Sequence, residues 1–202
     1  MIDASYFPVS LKLEGRPCLV IGNGREARLR AEALLDARAP VRLVSSGADA
    51  ELLAWASELA SPLFSFETRP YQATDLDGVW LAVLTDRDGA LAAEVAADAE
   101  RRQVLFCAVD QPAYGSFTHV ARVSAGALTL AIGTAGRAPA LARRLREIFQ
   151  ELFDDAGMSG YVERLAELRE RTPSADRARV LGDAVKALRF EGRLRITPRD
   201  PG

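Results

Sequence analysis

Histidine, cysteine and methionine are scarce in this chain of 202 residues, which holds one histidine, two cysteines and two methionines. So few ligands cannot build a dedicated metal cage, and no stably bound metal is expected. Cys18 and Cys107 each lie inside an apolar, strand-like run, which points to buried, reduced thiols and away from a disulfide framework. Long apolar runs are missing too: none approaches the ~18 residues of a membrane span. The opening Met1-Ile2-Asp3-Ala4-Ser5-Tyr6-Phe7-Pro8 lacks the basic start and apolar core of a signal peptide, so a soluble cytoplasmic protein is expected. Nor is there an excess of charge of one sign. With 26 basic and 28 acidic residues the formal charge is −2, which gives no general attraction to nucleic acid or membrane. Any anion site must be local.

What is present is an apolar background of 49% over a length that can bury a sizeable core. Its most informative stretch is Cys18-Leu19-Val20-Ile21 followed by Gly22-Asn23-Gly24-Arg25-Glu26-Ala27 and then helix formers with leucines at helical spacing. Strand, tight turn and helix in this order open a dinucleotide-binding unit. Gly22 permits the turn, Gly24 lets the backbone approach a pyrophosphate, and the small Ala27 lets the helix lie close to the strand. Phosphate would rest on the free N–H groups of the helix start. By itself the motif also suits an ordinary strand-to-helix turn, so its surroundings decide.

Those surroundings alternate. A helix from about Arg25 to Ala37 leads to the strand Val41 to Val44, a strand-helix-strand unit of about thirty residues. A helix from Asp49 to Ala60, a short strand Leu63 to Phe66, a polar, turn-rich segment Tyr71 to Gly78 and a strand Val79 to Leu84 follow. In that segment Asp75 and Asp77 read as caps. A helix from Ala90 to Arg102 and a strand Val104 to Val109 complete five strands, a doubly wound α/β sheet over roughly residues 1–113. Ligands of such sheets bind beyond the carboxyl ends of the strands. That rim carries Thr85 and Asp86, where Asp86 or Asp88 is equally suited to cap the next helix, and Asp110 before Gln111-Pro112, either a turn former or a base. The acid that usually holds the ribose after the second strand is replaced by Ser45-Ser46-Gly47. Arg42 lies within the strand, which favours NAD over NADP.

Beyond Pro112, Ser116 to Val123 and Ala127 to Ile132 read as extended segments joined around Ser124-Ala125-Gly126. A Gly/Thr-rich turn, Gly133-Thr134-Ala135-Gly136-Arg137-Ala138-Pro139, then opens a helix from Ala140 to about Phe153. The turn is a good helix cap and also a place where N–H groups and arginine could hold an acidic substrate. Helices from Tyr161 to Arg171 and about Ala175 to Leu188 follow, read as a cap over the substrate cleft, and Arg193 to Gly202 reads as a loosely held end.

Several blocks together resemble the precorrin-2 dehydrogenase family, the siroheme synthase N-terminal module and its stand-alone relatives. They are Tyr6-Phe7-Pro8 with Leu13-Glu14-Gly15-Arg16, the Leu19 to Ala27 stretch, Val109-Asp110-Gln111-Pro112, Ser116-Phe117, and the block from Leu128 to Arg146. The resemblance implies a Rossmann-like NAD-binding domain over 1–113, a small α+β dimerisation segment over 114–153 that exchanges strands within a homodimer, and a helical region over 154–202. It implies oxidation of precorrin-2 to sirohydrochlorin with NAD as acceptor, and in some members insertion of ferrous iron. No methyltransferase domain is expected after residue 202.

Carried over by position, the family's essential aspartate falls on Asp110 as general base. NAD contacts fall on Gly22, Asn23, Gly24, Arg25 and Glu26, and on Ser45, Ser46 and Gly47, with Thr85 and Asp86 beside them. Thr134, Gly136, Arg137 and Arg143 fall near a substrate that carries eight carboxylates, and each arginine also suits a solvated helix face. His119 reads either as a proton shuttle or iron contact or as a polar residue at a dimer seam. The sequence departs from the family at Ala135, Arg137 and Ala138 in the turn, at Cys107 and at Val120. A non-catalytic module that senses NAD or NADH is the competing expectation, and Asp110 separates the two.

Overall fold

The computed structural model describes residues 6–192, so the expectation for Arg193 to Gly202 lies outside the described residues. Five parallel strands, β1 (Cys18–Ile21), β2 (Val41–Ser45), β3 (Phe64–Thr68), β4 (Leu81–Leu84) and β5 (Leu105–Ala108), form one sheet in the order β3-β2-β1-β4-β5. The helices α1 (Gly24–Asp36), α2 (Ala50–Glu58) and α3 (Gly89–Arg102) connect them, so the expected doubly wound α/β sheet is present. β1 and β4 are buried at every position, as strands covered on both faces must be. One core layer gathers Leu19, Val44, Leu84, Val95 and Phe106; the other gathers Val20, Ala27, Leu43, Leu52 and Val83. Ala27 and Ala31 are fully buried, and their small side chains let α1 lie close to β1.

Where boundaries moved, hydrogen bonds moved them. β4 begins at Leu81, not Val79, because Val79 N–H closes a turn onto Leu76 O and Trp80 N–H reaches Pro17 O. The segment Tyr71 to Gly78 contains a short 3-10 turn, Ala73–Leu76, in which Asp75 takes part in a capping box. Asp75 does more than cap. Its buried carboxylate accepts from Arg69 Nη1 and Nη2 at 2.8 and 2.6 Å, while Arg42 donates to Asp75 O. Burial would raise its pKa, yet Arg69, the Gln72 N–H and Arg42 hold the carboxyl below its ordinary value. Arg42 is thus committed to the 3-10 turn.

The chain divides into two compact units. Of the described residues, one holds 6–120 together with Gly133–Pro139; the other holds Ala121–Ile132 and 140–192. In the second, β6 (Ala121–Ala125) and β7 (Leu128–Ile132) form an antiparallel hairpin, with α4 (Pro139–Asp155), α5 (Met158–Arg171) and α6 (Arg177–Val185) after it. Residues 116–120 are not strand, contrary to the expectation for Ser116 to Val123. Ser116 instead turns back onto β5, where its Oγ accepts from Phe106 N–H at 2.9 Å and its own N–H donates to Phe106 O at 2.8 Å. β6 runs on to Ala125, so the hairpin turns at Gly126, whose φ of +58° suits glycine.

Candidate functional site

All five strands of the sheet run parallel, so the residues after β1, β2, β4 and β5 share one edge. That edge brings together the loop Gly22-Asn23-Gly24, the Ser46-Gly47 corner, Thr85-Asp86 and Asp110. β1 stands in the middle, flanked by β2 and β4, which is where the chain's winding reverses and a crevice opens.

The loop is held by contacts that span the chain. Gly22 has φ +135°, and a Cβ there would lie 2.1 Å from Thr85 Oγ1 and 2.8 Å from Asp86 Oδ1. Its glycine therefore serves the approach of β4 as well as the turn. Thr85 is buried and its Oγ1 donates to Ile21 O at 3.4 Å, tying the strand ends together. Asp86 Oδ1 accepts from Asn23 N–H at 3.0 Å, and Gln111 Nε2 donates to Asp86 O at 3.0 Å. The cap of the following helix is Asp88, whose Oδ1 accepts from Ala90 and Leu91 N–H. Asp86 is free of that duty.

The start of α1 suits a phosphate. Asn23 caps it, its Oδ1 accepting from Gly24 N–H at 2.7 Å, while no side chain among the described residues caps the N–H groups of Arg25 and Glu26. First-turn amides have no partner inside a helix, so these remain for an anion, favoured by the helix dipole. Gly24 has φ +66°, and a Cβ there would meet only Asp49 Oδ2, at 3.2 Å. On the other side of the loop Ser45 is 1% exposed and its Oγ has no hydrogen-bond partner among the described residues. A buried hydroxyl left unpaired beside a glycine-rich loop fits a ligand hydroxyl. The residues present thus fit a dinucleotide: amides for its pyrophosphate, a serine for its ribose. Ser46 and Gly47 are exposed at the same corner.

Asp110 follows β5 in the left-handed region, φ +59°, and is exposed. Its carboxylate pairs with Arg87, which the loop after β4 supplies. The pair is open to solvent on both sides, so a charged ligand can compete for either member. No sequence signal joined Arg87 to Asp110; the β4-β5 pairing does.

His119 sits in the irregular segment after Ser116, its ring 5.4 Å from that of Phe117 and its Nδ1 3.3 Å from Cys107 Sγ. The residue keeps solvent contact, but packing of the ring and the nearby Arg30 push its pKa down to about 4. Burial pushes the Cys107 thiol up to about 11. At neutral pH both are uncharged, and the thiol and the imidazole Nδ1 stand within hydrogen-bonding distance of each other. Cys18 is likewise buried, its thiol raised to about 11.

Thr134-Ala135-Gly136-Arg137 forms a tight turn closed by Arg137 N–H onto Thr134 O at 3.0 Å, and Thr134 Oγ1 accepts from Ala138 N–H. Arg137 is exposed in this turn, and Arg143 is exposed on α4 in the second unit.

Residues 9–121 match the family "Putative NAD(P)-binding", which covers the sheet and its edge. The family's cofactor class is accordingly a nicotinamide dinucleotide. The chain is 34% identical over 172 residues to the siroheme synthase of Methylococcus capsulatus, covering 84% of this chain and 35% of that protein. Siroheme synthase 1 of Aeromonas hydrophila is 30% identical, over 94% of this chain and 39% of that protein. The chain thus spans little more than a third of these relatives. Among solved structures, the fold is shared with "SirC, precorrin-2 dehydrogenase", at a TM-score of 0.71, 23% identity and 89% coverage of each chain. The chain belongs to the "Putative NAD(P)-binding" family, and the resemblance to the siroheme synthase and precorrin-2 dehydrogenase group read in its sequence holds across these comparisons.

Proposed function

We propose that this protein is an NAD-dependent precorrin-2 dehydrogenase that oxidises precorrin-2 to sirohydrochlorin, acting as a cytoplasmic homodimer. One observation carries the reading: Asp110, in a left-handed backbone, stands on the same sheet edge as the Gly22–Gly24 loop. Non-glycine residues in that conformation concentrate at functional sites, and a sensor of NAD has no use for an exposed carboxylate there. Bound at the loop, the nicotinamide ring would supply the hydride acceptor. Asp110 then accepts the proton lost from the substrate carbon framework, the task of a general base. The amides of Arg25 and Glu26 hold the pyrophosphate, and Ser45 and Ser46 the ribose side. Arg87 and Arg137 offer cations to the carboxylates of the tetrapyrrole, Arg87 by exchanging its Asp110 partner for one of them. His119, neutral and engaged by Cys107, is a poor proton donor at neutral pH and supports a packing role.

The test is anaerobic incubation of the full chain with precorrin-2 and NAD, followed by NADH absorbance. Turnover is expected, and its absence sinks the enzyme reading. Asp110→Asn, which tolerates a left-handed backbone, is expected to lower turnover by at least about 100-fold while NADH affinity changes less than about twofold. Normal turnover in that variant removes Asp110 from the role of base.

A further inference from the structure

The cofactor corner has an apparent gap. After β2 come Ser46, Gly47 and Ala48, where sheets of this winding usually place the acid that holds the adenosine ribose. The first carboxylate beyond them is Asp49, the N-cap of α2. Its Oδ1 accepts from Leu52 N–H at 2.8 Å, which fixes the side chain. Its Oδ2 is turned to the loop and would lie 3.2 Å from a Cβ on Gly24, the glycine whose bareness admits the dinucleotide. Asn23 makes this placement rigid. Its single Oδ1 accepts from both Gly24 N–H and Asp49 N–H, at 2.7 and 2.9 Å, binding the starts of α1 and α2 together. The unpartnered, buried Ser45 Oγ ends the same strand.

We propose that Asp49 is the ribose-holding carboxylate of this site and the residue that selects NAD over NADP. The proposal rests on the dinucleotide reading of the Gly22–Gly24 loop. One carboxylate oxygen is spent on the cap and the other is left for the paired hydroxyls of an adenosine ribose, with Ser45 as a second partner. A 2′-phosphate would bring like charge against Asp49. The neighbouring depression of about 290 Å³ does not reverse this preference. It is lined by Arg25 and Arg28 but also by Glu32 and Glu51, and Arg28 is paired with Glu32 at 2.8 Å, so its charges cancel.

The experiment measures dissociation constants of NADH and NADPH for the full chain by nicotinamide fluorescence. The wild type is expected to prefer NADH. Asp49→Asn, which keeps a good helix cap, is expected to weaken NADH by about tenfold and bring the NADPH constant level with it, without a change in melting temperature. Asp49→Ser, a second capping residue without charge, is expected to do the same, so the result does not hang on one variant. An unchanged NADH-to-NADPH ratio in both variants, or a wild type that prefers NADPH, overturns the role of Asp49. A wild type that binds neither overturns the dinucleotide reading itself, and the proposal with it.

Discussion

The two units bury their side chains to different degrees. In the first, β1 and β4 are sealed at every residue, α1 and α3 each contribute a buried stripe, and α2 adds Leu52. In the second, α5 and α6 have no buried residue, α4 has only Ala142, and β7 alternates between half-buried and exposed. The apolar row of α4, Leu145, Ile148, Phe149 and Leu152, is half-buried, and Leu141 before it is 53% exposed. A unit with so little sealed core draws less of its stability from within. In the proposed homodimer that half-covered surface is where a second copy would add burial.

Matched truncations would test this contrast most strongly. Phe106→Ala empties a fully buried site in the first unit, and a loss of about 3–5 kcal/mol is expected in denaturant titrations. Phe149→Ala, at a half-buried position, is expected to cost about 1 kcal/mol at low protein concentration. Equal losses would erase the distinction between the units. A loss at Phe149 that grows with protein concentration would sharpen it, because burial would then come from association.

The His119–Cys107 contact gives a smaller, pH-dependent effect in the first unit. The folded pKa of His119 lies below its ordinary 6.5, so the unfolded chain binds more protons between about pH 4 and 6.5. The resulting stability is present above pH 6.5 and fades as pH falls toward 4. Discounted for the ring's solvent contact, the loss is about 1 kcal/mol, or a few degrees in melting temperature between pH 7 and 5. His119→Gln is expected to flatten that difference. An unchanged pH slope in the variant means that the imidazole does not supply it.

The sheet was readable from the sequence because β1, β4 and β5 are contiguous apolar runs and a helix follows each of β1, β2 and β4, while the Gly22–Ala27 loop carries its own turn chemistry. The site was readable where it follows a strand end: Asp86 and Asp110 stand on the edge that strand alternation assigned to them. What stayed hidden is pairing at a distance. Asp86 meets Asn23 across 63 residues and Arg69 meets a buried Asp75 around a turn, and no periodicity reports such contacts. Residues 116–120 carry a strand-like alternation, yet the hydroxyl of Ser116 competes for the β5 edge and wins. Asp49 was legible only as a helix start, since its second carboxylate oxygen gains meaning from where Gly24 lies.

The smallest expected effect concerns the turn that sequence places between two elements of the second unit but that packs with the first. Ala135 and Gly136 have φ of +50° and +74°, a left-handed pair that closes the Thr134–Arg137 turn. Such turns demand positive φ at both central residues, which glycine adopts without steric cost and alanine does not. Ala135 thus holds strain that the turn's hydrogen bond and the neighbouring packing must offset. Ala135→Gly relieves the strain and also loosens the unfolded chain, so the two effects partly cancel. A net gain of about 0.5–1 kcal/mol is expected because the native conformation is the one alanine tolerates poorly. Calorimetry with a rise of a few degrees would place the strain in the first unit's own transition. A fall in stability would mean that the Ala135 side chain contributes contacts worth more than its strained backbone costs.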